Sequence, residues 1–344
     1  MTLKADMTTM NQHTTPSTKN SLEQLCTLTT VVADTGDLAA IAQFKPIDAT
    51  TNPSLITAAA SLPENANLIE QAYRQAQQEG LSGEALLNQT IDILTVKLGI
   101  EILKLIDGRV STEVDPNFSY NTEATIERGL QLIQLYEQAG IQKDRVLIKI
   151  AATWEGIQAA KYLEQQGIHC NLTLIFGLAQ AAACADANVT LISPFVGRIL
   201  DWYKTFEKKD SYPIEQDPGV QSVKQIYNYY KQHGIDTQVM GASFRSTEQV
   251  LALAGCDLLT IAPTLLEQLK NSNQHVSTSI SPEQAKRANA MDKLNLSHTE
   301  FDAMLNKDQM AFELLQSGVD GFIKARDQLS QQLRQSFGIG ELEN

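Results

Sequence analysis

Val146-Leu147-Ile148-Lys149-Ile150 is a short apolar run with a single lysine inside it. The run is too short for an independent helix and rich in β-branched residues, so it reads as a buried strand. Successive side chains of a strand face opposite sides, so Lys149 points with Leu147 and away from Ile148 and Ile150. Burial penalises the charged form of an amine and favours the free, nucleophilic one. A lysine near a strand end also commonly snorkels to water. The reading of this one therefore depends on what the other strands place around it.

Working outward from this run, short apolar stretches alternate with helical ones from residue 27 onward. The candidate strands are Thr29–Asp34, Ile47–Asn52, Arg109–Val114, Val146–Ile150, His169–Ile175, Leu191–Phe195, Thr237–Ser243 and Leu258–Ala262. Amphipathic segments fill many of the gaps: 63–78, 83–106, 121–139, 155–166, 179–187, 220–233 and 247–254. Asn121 or Thr122 suits the N-cap of the third of these segments, 121–139, with Gly140 just past its end. The stretch 298–336 reads as helical with Gly318 as a break, too long for one closing helix and suited to wrapping the outside of the fold.

Alternating strands and helices in this number predict a (β/α)8 TIM barrel with additional C-terminal helices. The rival is an open doubly wound sheet, but no GxGxxG follows a strand and no GxxxxGK[ST] occurs. At 344 residues the chain is longer than the roughly 250 a barrel typically takes. The surplus divides into a polar, disordered leader over 1–20, one barrel domain with its C-terminal helices over 21–337, and a tail over 338–344.

Composition narrows the function. The net charge of −13 argues against nucleic acid or an anionic membrane as partner, while leaving room for a small basic pocket. The leader lacks the apolar core of a signal peptide, and no stretch approaches the length of a membrane span. The 4 cysteines are scattered without CxxC, which suits a reducing, cytoplasmic setting. The histidines form no HExxH and no i, i+4 pair, so no metal site is expected. No GxSxG marks a serine nucleophile.

The alternation rule then places polar residues on one parity near the C-terminal end of strand after strand. Asp34 shares a face with Val32, Thr50 with Asn52, Ser111 with Glu113, Asn171 with Thr173, Ser193 with Phe195, and Ser243 with Arg245. Barrel active sites are built at that end. An inward face bearing Lys, Asp, Glu and Asn is no packing solution, because buried charges must be paired or hydrogen-bonded. Each residue alone has a plainer reading. Asp34 before Thr35-Gly36-Asp37 suits a turn or a helix cap, and Asn52 before Pro53 a turn initiator. Glu113, Arg198 and Arg245 suit surface charges. Asn171-Leu172-Thr173 matches a glycosylation sequon by chance. The joint pattern favours a site.

Several stretches together resemble the transaldolase family, most closely its longer members of the pentose phosphate pathway. They are Val32-Ala33-Asp34-Thr35-Gly36-Asp37, Asp48-Ala49-Thr50-Thr51-Asn52-Pro53-Ser54-Leu55, Ser111-Thr112-Glu113-Val114-Asp115, Leu147-Ile148-Lys149-Ile150, Asn171-Leu172-Thr173-Leu174, Ile192-Ser193-Pro194-Phe195-Val196-Gly197-Arg198 and Met240-Gly241-Ala242-Ser243-Phe244-Arg245. The likeness runs in order from about residue 27 to 335. It implies a cytoplasmic, cofactor-free barrel enzyme, a homodimer, acting on phosphorylated sugars. The reaction implied is transfer of a dihydroxyacetone unit from sedoheptulose 7-phosphate to glyceraldehyde 3-phosphate, giving erythrose 4-phosphate and fructose 6-phosphate.

The resemblance also implies roles. Lys149 would form a Schiff base with the ketose carbonyl, Asp34 would move the C4 hydroxyl proton, and Glu113 with Thr173 would hold a proton-relaying water. Asn52 and Asn171 would hold hydroxyls of the three-carbon unit, with Thr50 and Ser193 nearby. Arg198, Ser243 and Arg245 would bind phosphate, and Phe195 would line the pocket where the related fructose-6-phosphate aldolases carry tyrosine. Gly177 stands where close relatives carry serine, which bears on the loop after the fifth strand. The alternatives to transfer are a fructose-6-phosphate aldolase-like lyase using the same lysine, an idle sugar-phosphate-binding barrel, and a structural protein. Neither of the last two needs Lys149, Asp34 and Glu113 together.

Overall fold

The computed structural model describes residues 19–340. Eight parallel strands close into a barrel in sequence order, the first pairing with the last. They are β1 (Thr30–Asp34), β2 (Asp48–Thr50), β3 (Val110–Glu113), β4 (Val146–Ala151), β5 (Cys170–Ile175), β6 (Leu191–Pro194), β7 (Gln238–Gly241) and β8 (Leu258–Ile261). Seven fall within their expected segments, trimmed at the ends, and β4 runs one residue further than expected, to Ala151. β2 stops early because Asn52 turns away to cap the helix Pro53–Ala60, accepting from the Leu55 amide at 3.0 Å. β7 stops at Gly241 because Ser243 adopts a left-handed backbone, with φ 61°.

Two separate apolar clusters follow from this closure. The larger lies between sheet and helices and takes the outward faces of the strands, among them Val31, Ala33, Ile148, Ile150 and Leu172. The smaller consists of Val32, Leu147, Leu191, Met240 and Leu258. On their strands, Val32, Leu147, Leu191 and Leu258 sit two residues before Asp34, Lys149, Ser193 and Thr260. The barrel interior is thus a plug of aliphatic side chains with a polar layer above it. The plug is one reason a polar mouth is tolerated: the apolar layer supplies barrel packing below, and the polar groups need only satisfy each other.

The helices follow the expected segments, with additions and one change. The helix Gly83–Leu103 is buried on most sides, Gln89, Thr90, Asp92 and Thr95 included, because it is covered twice, by the sheet and by the helix Ala66–Gln78. Asn121 caps Thr122–Gln138, and Gly140 follows with φ 82°. The C-terminal stretch breaks at Asp308, not at Gly318. His298–Lys307 ends there, and Asp308 caps the next helix by accepting from the Ala311 amide at 3.0 Å. That helix, Gln309–Phe337, runs unbroken through Gly318 and packs on the helices Pro53–Ala60, Gly83–Leu103 and Gly197–Glu207 and on β5. It spans about 43 Å at 1.5 Å per residue and crosses the end of the barrel where the polar layer lies. No helix among the described residues is long and apolar enough to cross a membrane.

At the edges, residues 1–18 of the expected leader and 341–344 of the tail lie outside the described residues. Of the remainder, Asn20 caps the helix Ser21–Leu25 in a capping box with Glu23, and Ile339 is buried.

Candidate active site

Lys149 is central to the polar layer. Its side chain is 6 % exposed, and its Nζ donates to the Thr51 carbonyl at 3.0 Å and stands 3.3 Å from Glu113 Oε2. Glu113 and Asn171 are its register partners on the two neighbouring strands. The Glu113 contact is one of charge without hydrogen-bond alignment. Glu113 Oε2 and Thr173 Oγ1 are buried polar atoms with no hydrogen-bond partner among the described residues. Such atoms are rare in folded proteins, and a polar ligand group can meet both here.

The two carboxyl groups respond to the enclosure. Burial pushes Glu113 up to about 7, opposed by the Lys149 charge. Burial raises Asp34 as well, with Lys149, the Thr50 hydroxyl and Arg198 pulling the other way. Asp34 is not the local helix cap. That role falls to Asp37, which accepts from the Ala39 and Ala40 amides. Asp34 instead accepts from Thr50 Oγ1 at 3.1 Å, and the Thr50 hydroxyl is 2.7 Å from that of Thr260.

On the far side, Ser193 Oγ donates to Asn171 Oδ1 at 2.6 Å, and Asn171 Nδ2 donates to Ser111 Oγ at 3.0 Å. Asn171 is wholly buried, so the sequon it opens is inaccessible to a glycosylating enzyme.

The cationic rim comes from the next two loops. Arg198 is the second residue of the helix Gly197–Glu207. Arg245 is exposed and bound to Asp201, through Nε at 2.9 Å and Nη2 at 2.8 Å, with Nη1 3.3 Å from Ser243 Oγ. The two loops are joined by main-chain bonds, Val196 N to Ala242 O at 2.8 Å and Gly197 N to Ser243 O at 2.7 Å.

A cavity of ≈ 580 Å³ collects these groups. Of the residues expected at the site, Asp34, Thr50, Asn52, Lys149, Thr173, Ser193, Phe195, Arg198 and Ser243 line it. Three stand apart. Asn171 lies beneath the wall, Glu113 touches Lys149 from the side, and Arg245 sits at the rim. Sequence reasoning missed two lining residues with clear contacts. Thr260 follows the same parity rule as Asp34 and was legible in Leu258-Leu259-Thr260-Ile261. Phe322 comes from the C-terminal helix, where an aromatic at helical spacing reads as core.

Parity fails once. Met240 belongs to the interior plug, so strand alternation would turn Ser243 outward with Gly241. The left-handed backbone at Ser243 turns it in, and Ala242 and Ser243 both line the cavity. The loop after β5, where Gly177 replaces the expected serine, forms regularly. Gly177 is the N-cap of Leu178–Asp186 without a side-chain bond, and a Cβ there would meet nothing nearer than 3.4 Å.

Comparison with known proteins agrees with this geometry. The family model described as transaldolase/fructose-6-phosphate aldolase matches residues 31–333. A protein of Methylococcus capsulatus named transaldolase is 54% identical over 318 residues, covering 92% of this chain and 96% of its own. Transaldolases of Prochlorococcus marinus and of a Nostoc species are 55% and 54% identical over 315 residues, each covering 91% of this chain and 93% and 95% of their own. The barrel, its buried lysine beside Glu113 and in one cavity with Asp34, and a match along nearly the whole length agree, and the chain belongs to the transaldolase/fructose-6-phosphate aldolase family.

Proposed function

We propose that the chain is a transaldolase, moving a dihydroxyacetone unit from sedoheptulose 7-phosphate to glyceraldehyde 3-phosphate through a Schiff base on Lys149. The observation that carries this is the Lys149 amine, enclosed in a cavity that also holds Asp34 and opens onto arginines.

The chemistry balances on these groups. The Lys149 amine adds to the C2 carbonyl of the ketose, and loss of water gives the iminium. Asp34 takes the C4 hydroxyl proton, the C3–C4 bond breaks, and its electron pair flows into the iminium to give an enamine, while the first aldehyde leaves. The enamine then adds to the acceptor aldehyde, Asp34 returns the proton, and water releases the ketose. Glu113 and Thr173, with free acceptor and hydroxyl atoms beside Lys149, suit the proton movements of imine formation. Asn52, Asn171, Thr50 and Ser193 suit retention of the three-carbon unit between the two half-reactions. Arg198, Ser243 and Arg245 suit the phosphate, which guanidinium groups engage through forked donors.

The test is borohydride reduction with fructose 6-phosphate, followed by peptide mapping. A mass adduct on the Lys149 peptide is expected, and an adduct elsewhere on active protein would overturn the mechanism. Lys149→Ala is expected to abolish transfer with the barrel intact.

The second reading is the lyase that the family description also names. Release of free dihydroxyacetone without an acceptor would favour it. The names of the relatives and Phe195 in place of tyrosine favour transfer. A cytoplasmic homodimer belongs to the same proposal on the family resemblance, and sedimentation of the full chain reads its oligomeric state.

A further inference from the structure

Arg198 and Arg245 are held in opposite ways. Arg245 is bound to the Asp201 carboxylate. Arg198 has no hydrogen-bond or ion-pair partner among the described residues. Its guanidinium carbon lies over two rings instead, 5.2 Å from the centroid of Phe195 and 5.7 Å from that of Phe322. A carboxylate partner would orient the guanidinium but occupy its donors and compete with an anionic ligand. Aromatic faces orient the cation and leave its N–H groups, which lie in the plane of the guanidinium, unspent.

Phe195 follows from the strand that carries Ser193, but Phe322 is brought from the far end of the chain and is itself fixed. It is buried, and the helix around it is fastened on several sides. One turn later Arg326 pairs with Asp115 at 2.9 Å and donates to Asn88 at 2.8 Å. Next to it, the Ala325 carbonyl accepts from Thr57 Oγ1 at 2.9 Å. One turn earlier stands Gly318, where a Cβ would meet Leu174 Cδ2 at 2.8 Å and Arg198 Nη1 at 3.4 Å. Gly318, Phe322 and Arg326 thus share one helix face: the first admits Arg198, the second covers it and the third anchors the helix.

We infer that Phe322 is a positioning residue that sets the preference for phosphorylated over unphosphorylated substrates by holding Arg198 with its donors free. This rests on the proposed sugar-phosphate chemistry and deepens it. Phe322→Leu keeps an apolar side chain and removes the π face, and Phe322→Tyr keeps the ring. For Phe322→Leu, the KM for glyceraldehyde 3-phosphate relative to that for unphosphorylated glyceraldehyde is expected to rise about five- to twentyfold, on the scale of a partly buried cation–π contact. The inhibition constant of inorganic phosphate should rise by a similar factor, with kcat on the phosphorylated substrate changing less than KM. Phe322→Tyr should restore both.

Phe322→Met removes the π face with a different shape, and thermal unfolding identifies which of the two folds. If both lose their fold, the Phe322→Tyr variant with an unaltered parent ratio supports the inference, and a Tyr variant that loses discrimination overturns it. The inference also fails if folded Leu or Met variants keep the parent ratio, or if Leu and Tyr shift it alike. Absence of both adduct and transfer in the parent protein would instead defeat the underlying functional reading.

Discussion

Lys149 Nζ stands 3.3 Å from Glu113 Oε2 because the two residues are direct partners across β3 and β4. One peptide register therefore fixes the distance between the amine and its nearest acid. Burial pushes Glu113 up to about 7. Its ionised form, the one able to take a proton from Lys149 or from a water beside it, is gained as pH rises through that value. The value of kcat/KM is expected to rise with pH to a plateau above about 7, following one ionisation. Glu113→Gln should flatten this limb and lower the plateau by roughly 10²- to 10⁴-fold, the usual contribution of a positioned acid–base group. A pH–rate profile of both proteins checks it; an unchanged limb in the variant would assign the ionisation to another group.

The hydroxyl pair behind Asp34 supports a second expectation. Thr50 donates to Asp34 and is 2.7 Å from Thr260, so the pair orients the carboxylate that the proposed mechanism uses as base. Thr50→Val removes one hydrogen bond to a charged group, about 1.5–3 kcal/mol, which corresponds to a loss of roughly ten- to hundredfold in kcat. Thr260→Val should cost less, because it acts through Thr50. In the double variant the effects should not add. Steady-state kinetics of the three variants measures this, and additive losses would mean that the two hydroxyls act independently.

The barrel was readable because period-two alternation in short strands reports both the element and its facing. Lys149, Asp34, Glu113 and Thr173 all came from that rule, and on β5 the backbone turns left-handed only at Leu174, one residue past Thr173. Where the backbone departs from regularity the rule has no purchase. Ser243 enters the cavity through a positive φ that nothing in Ala242-Ser243-Phe244 announces. Phe322 was hidden for another reason. Its neighbours alternate as an amphipathic helix should, and the ring is buried as the pattern implies, but what it is buried against is decided by long-range packing. Gly318 misled in the same way: a helix-weakening residue was read as a break, whereas its missing side chain admits Arg198 and Leu174. The roles of Asn52 and Arg198 rest on the family resemblance, since a turn-initiating asparagine and a surface arginine look the same in the sequence alone.

The clasp between Arg326 and Asp115 leads to a third prediction. Both side chains are under 10 % exposed, and their ion pair joins the C-terminal helix to the loop just past Glu113. Removing one member leaves the other charge buried and uncompensated, which typically costs about 3–5 kcal/mol. Arg326→Ala should lower the denaturant midpoint accordingly, and Asp115→Asn by a smaller amount, because an amide keeps a hydrogen-bonding partner for the guanidinium. Replacing the pair together, as Asp115→Leu with Arg326→Met, should recover a good part of the loss. Urea unfolding followed by circular dichroism distinguishes these outcomes; no recovery in the double replacement would show that the pair contributes favourably beyond its own burial cost.

Gly197 bears on the rim proposed to hold the phosphate. A Cβ at this position would lie 2.4 Å from the Ser243 carbonyl oxygen and 2.7 Å from Arg245 Cγ, distances at which the neighbouring loop must move. The carbonyl is the acceptor of the 2.7 Å bond from the Gly197 amide, so the loops bearing Arg198 and Arg245 would separate where they are now joined. Gly197→Ala is therefore expected to raise KM for phosphorylated substrates about tenfold or more, as removal of a charge-assisted contact of about 1.5–3 kcal/mol would. Arg245→Ala should act in the same direction, and combining it with Gly197→Ala should add little, since the glycine change already displaces that side chain. Borohydride trapping with unphosphorylated dihydroxyacetone should still label Lys149 in both variants, because the amine and its acids lie on strands that the loop displacement does not reach. Loss of that labelling in Gly197→Ala would mean that the strain spreads into the barrel, and the separation of phosphate rim from reacting amine would not hold.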